Sequence, residues 1–156
     1  MSTSSALKNY YTNNYFYQNT HSYHYPIWNE HTKTYNQAAD NTNAVVANAL
    51  ELQKGELVLD AGCGVGGTTA WIAQRHAVAI IGITVVPSQI QRAQKHAAMA
   101  KVARRTAFQV VDYTKTPFAD NTFNKIYAIE SVCYAKRKQE FIREAYRLLK
   151  PGGKLV

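Results

Sequence analysis

Residues 57–68 read Leu57-Val58-Leu59-Asp60-Ala61-Gly62-Cys63-Gly64-Val65-Gly66-Gly67-Thr68. A short apolar run leads into a carboxylate, and four glycines follow within six residues. Glycine is the residue that takes positive φ without penalty and lets a ligand lie against the backbone. A buried strand, a tight glycine turn and the start of a helix is the arrangement this order of residues demands. A chain carrying it is committed to layers of strands and helices rather than to a bundle or a sandwich.

The rest of the chain repeats the pattern. Residues 38–52 have a broad apolar face and predict a helix, with Gly55 as its stop. Residues 57–59 predict the first strand and residues 68–75 the helix after it. Residues 78–83, rich in β-branched side chains, predict a second strand. Residues 88–101 predict a helix with Pro87 at its entrance. Residues 106–111 and 124–129 predict the third and fourth strands. Residues 138–149 predict a helix ended by Pro151-Gly152-Gly153, and residues 154–156 the opening of a fifth strand. Apolar strands alternating with helices mean a parallel sheet covered on both faces. The expected fold is therefore α/β: a Rossmann-like, doubly wound, mostly parallel sheet, with ligands at the carboxyl ends of the strands. Two regions are expected: an aromatic-rich extension or lid over residues 1–36, and the ligand-binding domain over residues 37–156. Seven of the eleven tyrosines fall in the first region.

Charge and cysteine content bound the function. The net charge of +8 is concentrated around Arg92, Lys95, Lys101, Arg104 and Arg105, and again at Lys136, Arg137 and Lys138. No nucleic-acid recognition motif accompanies it, so a solvated basic face is expected and no nucleic-acid partner. Peripheral contact with a membrane is left open. Residues 77–86, the longest apolar run, fall short of the roughly 20 residues that span a bilayer. The first residues carry no basic stretch followed by an apolar one, and Cys63 and Cys133 form neither a disulfide framework nor a metal pattern. The expectation is a cytoplasmic protein with no metal, its cysteines small buried residues rather than nucleophiles.

Gly62, Gly64 and Gly67 fit the spacing of a dinucleotide loop. Asp60 speaks against that ligand, because a carboxylate at the strand end repels a pyrophosphate. Thr84 stands where a dinucleotide enzyme keeps an acidic ribose ligand. S-adenosylmethionine suits the charges better. Asp60 attracts its cationic end, and the loop amides and the helix start near Thr68 receive its carboxylate.

Five segments, in order, resemble the class I S-adenosylmethionine-dependent methyltransferases. They are residues 58–67, residues 82–93, Asp112-Tyr113-Thr114-Lys115-Thr116-Pro117-Phe118, residues 123–135, and Glu144-Ala145-Tyr146-Arg147-Leu148-Leu149-Lys150-Pro151-Gly152-Gly153. The second and fourth are similar to the sterol C-24 and γ-tocopherol methyltransferase group. The resemblance implies that Gly62, Gly64 and Gly66 line the methionine part of the cofactor and that Thr84 and Gln89 meet the ribose. It implies that Asp112 and Tyr113 sit by the adenine, with Glu130 and Ser131 near the transferable methyl. It also implies a seven-stranded fold of which this chain holds about four to five strands, leaving the fourth as an exposed apolar edge.

Methyl transfer is a displacement at a sulfonium carbon, for which positioning is worth about 7–11 kcal/mol. Were the acceptor an alkene, aromatic faces would steady the resulting cation by roughly 0.5–2 kcal/mol each. Tyr11, Tyr15, Tyr17 and Tyr25 are candidates for that, Glu130 for a base or charge stabiliser, and His24 for an acceptor contact. The expected activity is methyl transfer to a small molecule, lipid or isoprenoid-like. The alternatives are an inactive cofactor-binding or regulatory module and, behind it, a nicotinamide oxidoreductase.

Overall fold

The computed structural model describes residues 22–156. Five strands form one sheet in the order β3-β2-β1-β4-β5, every neighbouring pair parallel. The strands are β1 (Leu57–Ala61), β2 (Ala79–Thr84), β3 (Thr106–Val110), β4 (Phe123–Tyr127) and β5 (Leu149–Leu155). The helices among the described residues, numbered from the first, are α1 (Tyr35–Leu50), α2 (Gly67–Arg75), α3 (Pro87–Met99) and α4 (Lys138–Leu148). This is the Rossmann-like, doubly wound arrangement the alternation predicts. The expected boundary after residue 36 falls inside the first turn of α1, whose cap is Thr34: its hydroxyl accepts the Gln37 amide, and the Gln37 side chain returns to the Thr34 amide.

Helices cover both faces of the central strands, while the edge strands β3 and β5 stay largely exposed. Ala47 and Leu50 of α1, Ala70, Ile72 and Ala73 of α2, and Ala97 of α3 pack with Val58 and Ile80 on one side. Phe141, Ala145 and Leu148 of α4 pack with Leu59, Ala61 and Ile126 on the other. β1 is the central strand, and its last four residues are buried. That is why it reads as a continuous apolar run rather than an alternation.

Two expected helix stops are placed differently. α1 ends at Glu51, which takes the left-handed cap conformation (φ 52°) itself, while Gly55 turns four residues later. α4 ends at Leu148, and Leu149 starts β5 at once. Pro151, Gly152 and Gly153 lie within that strand. Phe123 faces Leu149 and Lys125 faces Lys154, so two steps along β4 match five along β5. The glycines therefore bulge a strand rather than stop a helix. β4 is consequently covered by β5, and the expected exposed edge lies one strand further out.

The chain passes from β3 to β4 without a helix, and one cluster fixes that connection. Glu144 of α4 accepts bonds from the Thr116 amide and hydroxyl, both at 2.7 Å. Arg147 donates to Glu144, Asp120 and the Phe118 carbonyl. The Arg147 hydrogen bonds, with those of Thr116, hold the Glu144 carboxyl down at about 2. A depressed carboxylate stabilises the fold above its unfolded value near 4.5 and loses that contribution as pH falls through about 2. Glu144→Gln should cost about 2 kcal/mol at pH 7. In urea melts the difference from wild type should persist down to pH 4.5 and shrink below it.

Candidate functional site

The strand order reverses between β1 and β4, and the crevice at such a switch point is where open α/β sheets take ligands. A cavity of about 470 Å³ opens there, within the range of small-molecule sites. Its floor is the end of β1 and the glycine loop, one wall is the ends of β2 and β4, and its roof is residues 22–26.

Asp60 is the chemical centre of the floor. It is 3% exposed, and its Oδ2 accepts the Thr69 hydroxyl at 2.6 Å and the Tyr127 hydroxyl at 2.7 Å. The strand register explains the second contact, because Asp60 and Tyr127 are paired across β1 and β4. Burial pushes the Asp60 carboxyl up to about 6, against the pull of the two hydroxyls. Tyr127 is driven well above its ordinary value by the same burial and by the Asp60 charge, so it stays a donor. The Cys63 thiol, in the loop, is pushed well up by burial and then by Asp60, and is inert. Cys133, expected to be buried, is exposed beside the cavity mouth.

The glycines divide the work. Gly62 (φ +103°) lines the cavity, and a Cβ there would run into the Ser131 side chain, whose hydroxyl bonds the Ala61 carbonyl. Gly64 lines it too, under the Tyr23 ring. Gly66 does not line it: a Cβ there would lie 2.7 Å from that of Ala93, so this glycine serves the approach of α3 to the loop. Gly67, the first residue of α2, lines the cavity in its place.

The other expected residues are placed as follows. Thr84 and Gln89 are buried and line the cavity, bonded to each other at 2.6 Å. Tyr113 lines it, with its hydroxyl on the Ser131 carbonyl and its own acidity pushed to about 12 by burial and then by Asp112. Asp112 stays outside, exposed, accepting the Thr114 amide and hydroxyl in a local turn. Glu130 lines the mouth and accepts the Tyr25 amide at 2.7 Å. His24 lines the roof, buried, with Nε2 3.0 Å from Asn43 Oδ1. Tyr25 lines the roof as well. Tyr11, Tyr15 and Tyr17 lie outside the described residues.

Sequence reasoning missed Thr69 and Tyr127, the two donors to Asp60, and Asn43, which joins His24 to the Thr68 hydroxyl. It found the aromatic wall only in part: Tyr25 and Tyr113 were candidates, Tyr23 and Tyr35 belong to the expected lid, and Tyr127 and Tyr134 join them around the cavity. Tyr127 could have been found, since its place in the fourth strand puts it level with the end of the first. Among the described residues, no three His, Cys, Asp or Glu side chains gather into a metal site.

Comparison with known proteins agrees with this geometry. Residues 59–156 match the methyltransferase domain family. The chain is 40% identical to the sterol 24-C-methyltransferase of Saccharomyces cerevisiae over 102 residues, 65% of this chain and 27% of that protein. It is 35% identical to the chloroplastic tocopherol O-methyltransferase of Arabidopsis thaliana over 113 residues, 72% of this chain and 32% of that one. Among solved structures it resembles the 4+2 cyclase SpnF with a TM-score of 0.82 and 35% identity, covering 86% of this chain and 50% of that one. The chain thus spans half or less of the proteins it is compared with here. A match over most of the chain, on the glycine-loop sheet that the family uses, settles membership: this chain belongs to the methyltransferase domain family.

Proposed function

We propose that the cleft between β1 and β4 binds S-adenosylmethionine and serves methyl transfer to a small, apolar, isoprenoid-like acceptor. The observation that carries this reading is the buried Asp60 carboxylate beneath a glycine loop. A fold keeps an unpaired buried carboxylate only at a cost, and a cationic ligand repays it. An anionic pyrophosphate would do the opposite, which argues against a nicotinamide cofactor. A purely regulatory role is not favoured either, because the cavity has both a floor for a cation and an aromatic wall for an apolar acceptor.

When bound, the cofactor supplies an electrophilic methyl group on sulfur. The residues of this chain bind and orient it. Asp60 attracts the cationic end, held in place by Thr69 and Tyr127. The loop amides around Gly62 and Gly64 approach the ligand because no Cβ intervenes. Thr84 and Gln89 offer polar contacts at the end of β2, and Tyr113 does so beside β4. Residues 22–26 roof the cavity, and a ligand shielded beneath them would feel each electrostatic contact more strongly. Gly66 and Asp112 take no part in this assignment. The sterol and tocopherol methyltransferases, as relatives, support an acceptor of isoprenoid character, and so do six tyrosines around the cavity. Likeness to a cyclase supports a second reading, ring closure of a polyene in the same space.

Calorimetric titration of the 156-residue chain with S-adenosylmethionine, with NAD as control, tests the cofactor. Micromolar affinity for the first alone is expected, and affinity for NAD alone would overturn the reading. Transfer of a labelled methyl group to a sterol or a tocopherol precursor then separates methylation from ring closure, which moves no label.

Asp60 gives the reading a pH signature. Its carboxyl is neutral in the free chain below about 6. Affinity for S-adenosylmethionine should therefore fall as pH drops through that value. Asp60→Asn should lower affinity roughly 10–100-fold at pH 8 and abolish the pH dependence. The stability effect has the opposite sign. A carboxyl whose folded value lies above its unfolded 3.8 destabilises the fold fully above about 6 and not at all below 3.8. The variant should thus be at least as stable as wild type at pH 8, which thermal melts would check.

A further inference from the structure

The roof of the cavity belongs to a strap, residues 22–28, held from α1 at Tyr25 and Ile27 and from the β4 side at Tyr25. The hinge is on α1. The Thr42 hydroxyl donates to the Tyr25 carbonyl and accepts the Ile27 amide, and the Asn41 side chain donates to the Ile27 carbonyl. The strap also meets three other contacts around the cavity. Arg92 of α3 donates to the Tyr23 hydroxyl at 2.9 Å, with the Tyr23 ring over Gly64. His24 meets Asn43, which also takes the Thr68 hydroxyl at the start of α2. Glu130, past the end of β4, accepts the Tyr25 amide.

We infer that Glu130 is the latch of this strap, a positioning residue that governs passage of the cofactor through its bond to the Tyr25 amide, and not a base. The inference rests on the reading of the cleft as the cofactor site. Three features of the structure carry it. The His24–Asn43 bond is buried, so breaking it strands polar groups, whereas the Glu130–Tyr25 bond is exposed and both groups return to water when it opens. Glu130 also joins the strap to the β4 side of the cleft, across the switch point from the hinge. Lastly, Glu130 has left-handed backbone (φ 51°), which a non-glycine residue keeps only where the surroundings enforce it. The Cys133 thiol on the Glu130 carbonyl and the short 3-10 turn Val132–Tyr134 that follows do so, and they aim the carboxylate at the strap. A carboxylate already holding a backbone amide has the geometry of a fastener. With the latch closed the strap lies over part of the cavity, so opening of this bond widens the way for the cofactor, as in enzymes whose lids limit turnover.

The test separates the charge of Glu130 from its oxygen. Glu130→Gln keeps an acceptor for the Tyr25 amide, and Glu130→Ala removes it. Amide hydrogen exchange at Tyr25 in the ligand-free chain should quicken about tenfold or more in Glu130→Ala and stay near the wild-type rate in Glu130→Gln. Release of S-adenosylhomocysteine, followed by stopped flow, should show the same split. Equal Tyr25 exchange in wild type and Glu130→Ala overturns the latch. So does faster exchange with an unchanged release rate, because the strap would then not control the cofactor. A base would lose turnover equally in both variants and leave release untouched. Failure of S-adenosylhomocysteine to bind wild type at all would count against the cofactor reading alone, with Tyr25 exchange still deciding whether Glu130 holds the strap.

Discussion

A carboxylate buried at the end of the central strand sets the terms for everything around it. Asp60 has neighbouring strands on both sides and helices above and below, so water cannot neutralise its cost. The fold answers with two hydroxyls, Thr69 from the first turns of α2 and Tyr127 from β4. Those bonds lock the helix, the strand and the loop between them into one register. The same constraint explains why Cys63 is inert and why Tyr127 stays protonated: a negative charge in a dry place makes any second one beside it expensive. The site is therefore organised around an unmet preference for positive charge.

The architecture was legible because the signals for it are local. Apolar runs mark the parallel strands, and the first four lie within two residues of their expected bounds, while β5 starts five residues early. The floor of the site was legible for a similar reason, since Asp60, Gly62 and Gly64 act through backbone conformation and strand position. Gly66 shows where that kind of reading stops. Its place in a glycine motif suggests ligand contact, yet its demand for glycine comes from its own positive φ (76°) and from Ala93, twenty-seven residues away in another helix. The same limit hid the bulge in β5. Pro151-Gly152-Gly153 breaks a helix equally well whether the chain turns away or pairs with a neighbour, and only the pairing to Phe123 and Lys125 decides.

The aromatic wall was legible only in part, because outside the tyrosine-rich first residues it has no local signal. Its six tyrosines come from the strap, α1, the β3–β4 connection, β4 and the turn after it. Each taken alone is an ordinary core or surface aromatic. Asp112 illustrates the converse: it follows a strand, as site carboxylates do, but it stands outside the cavity lining, with Oδ1 holding the turn it starts.

Helix α1 carries one further trace of function in its sequence. Asp40-Asn41-Thr42-Asn43 puts four poor helix formers in succession in the middle of a helix, a local choice worth a few tenths of a kcal/mol each against folding. Two of them, Thr42 and Asn43, are also buried polar residues. Such violations persist where tertiary structure uses the side chains. Here Asn41 and Thr42 hold the hinge of the strap, and Asn43 ties its His24 to the helix that follows the glycine loop. The helix gives up propensity to carry polar groups that an apolar face would lack. What it gains is a roof anchored to the helix that follows the glycine loop of the floor, so that roof and floor are held as parts of one arrangement.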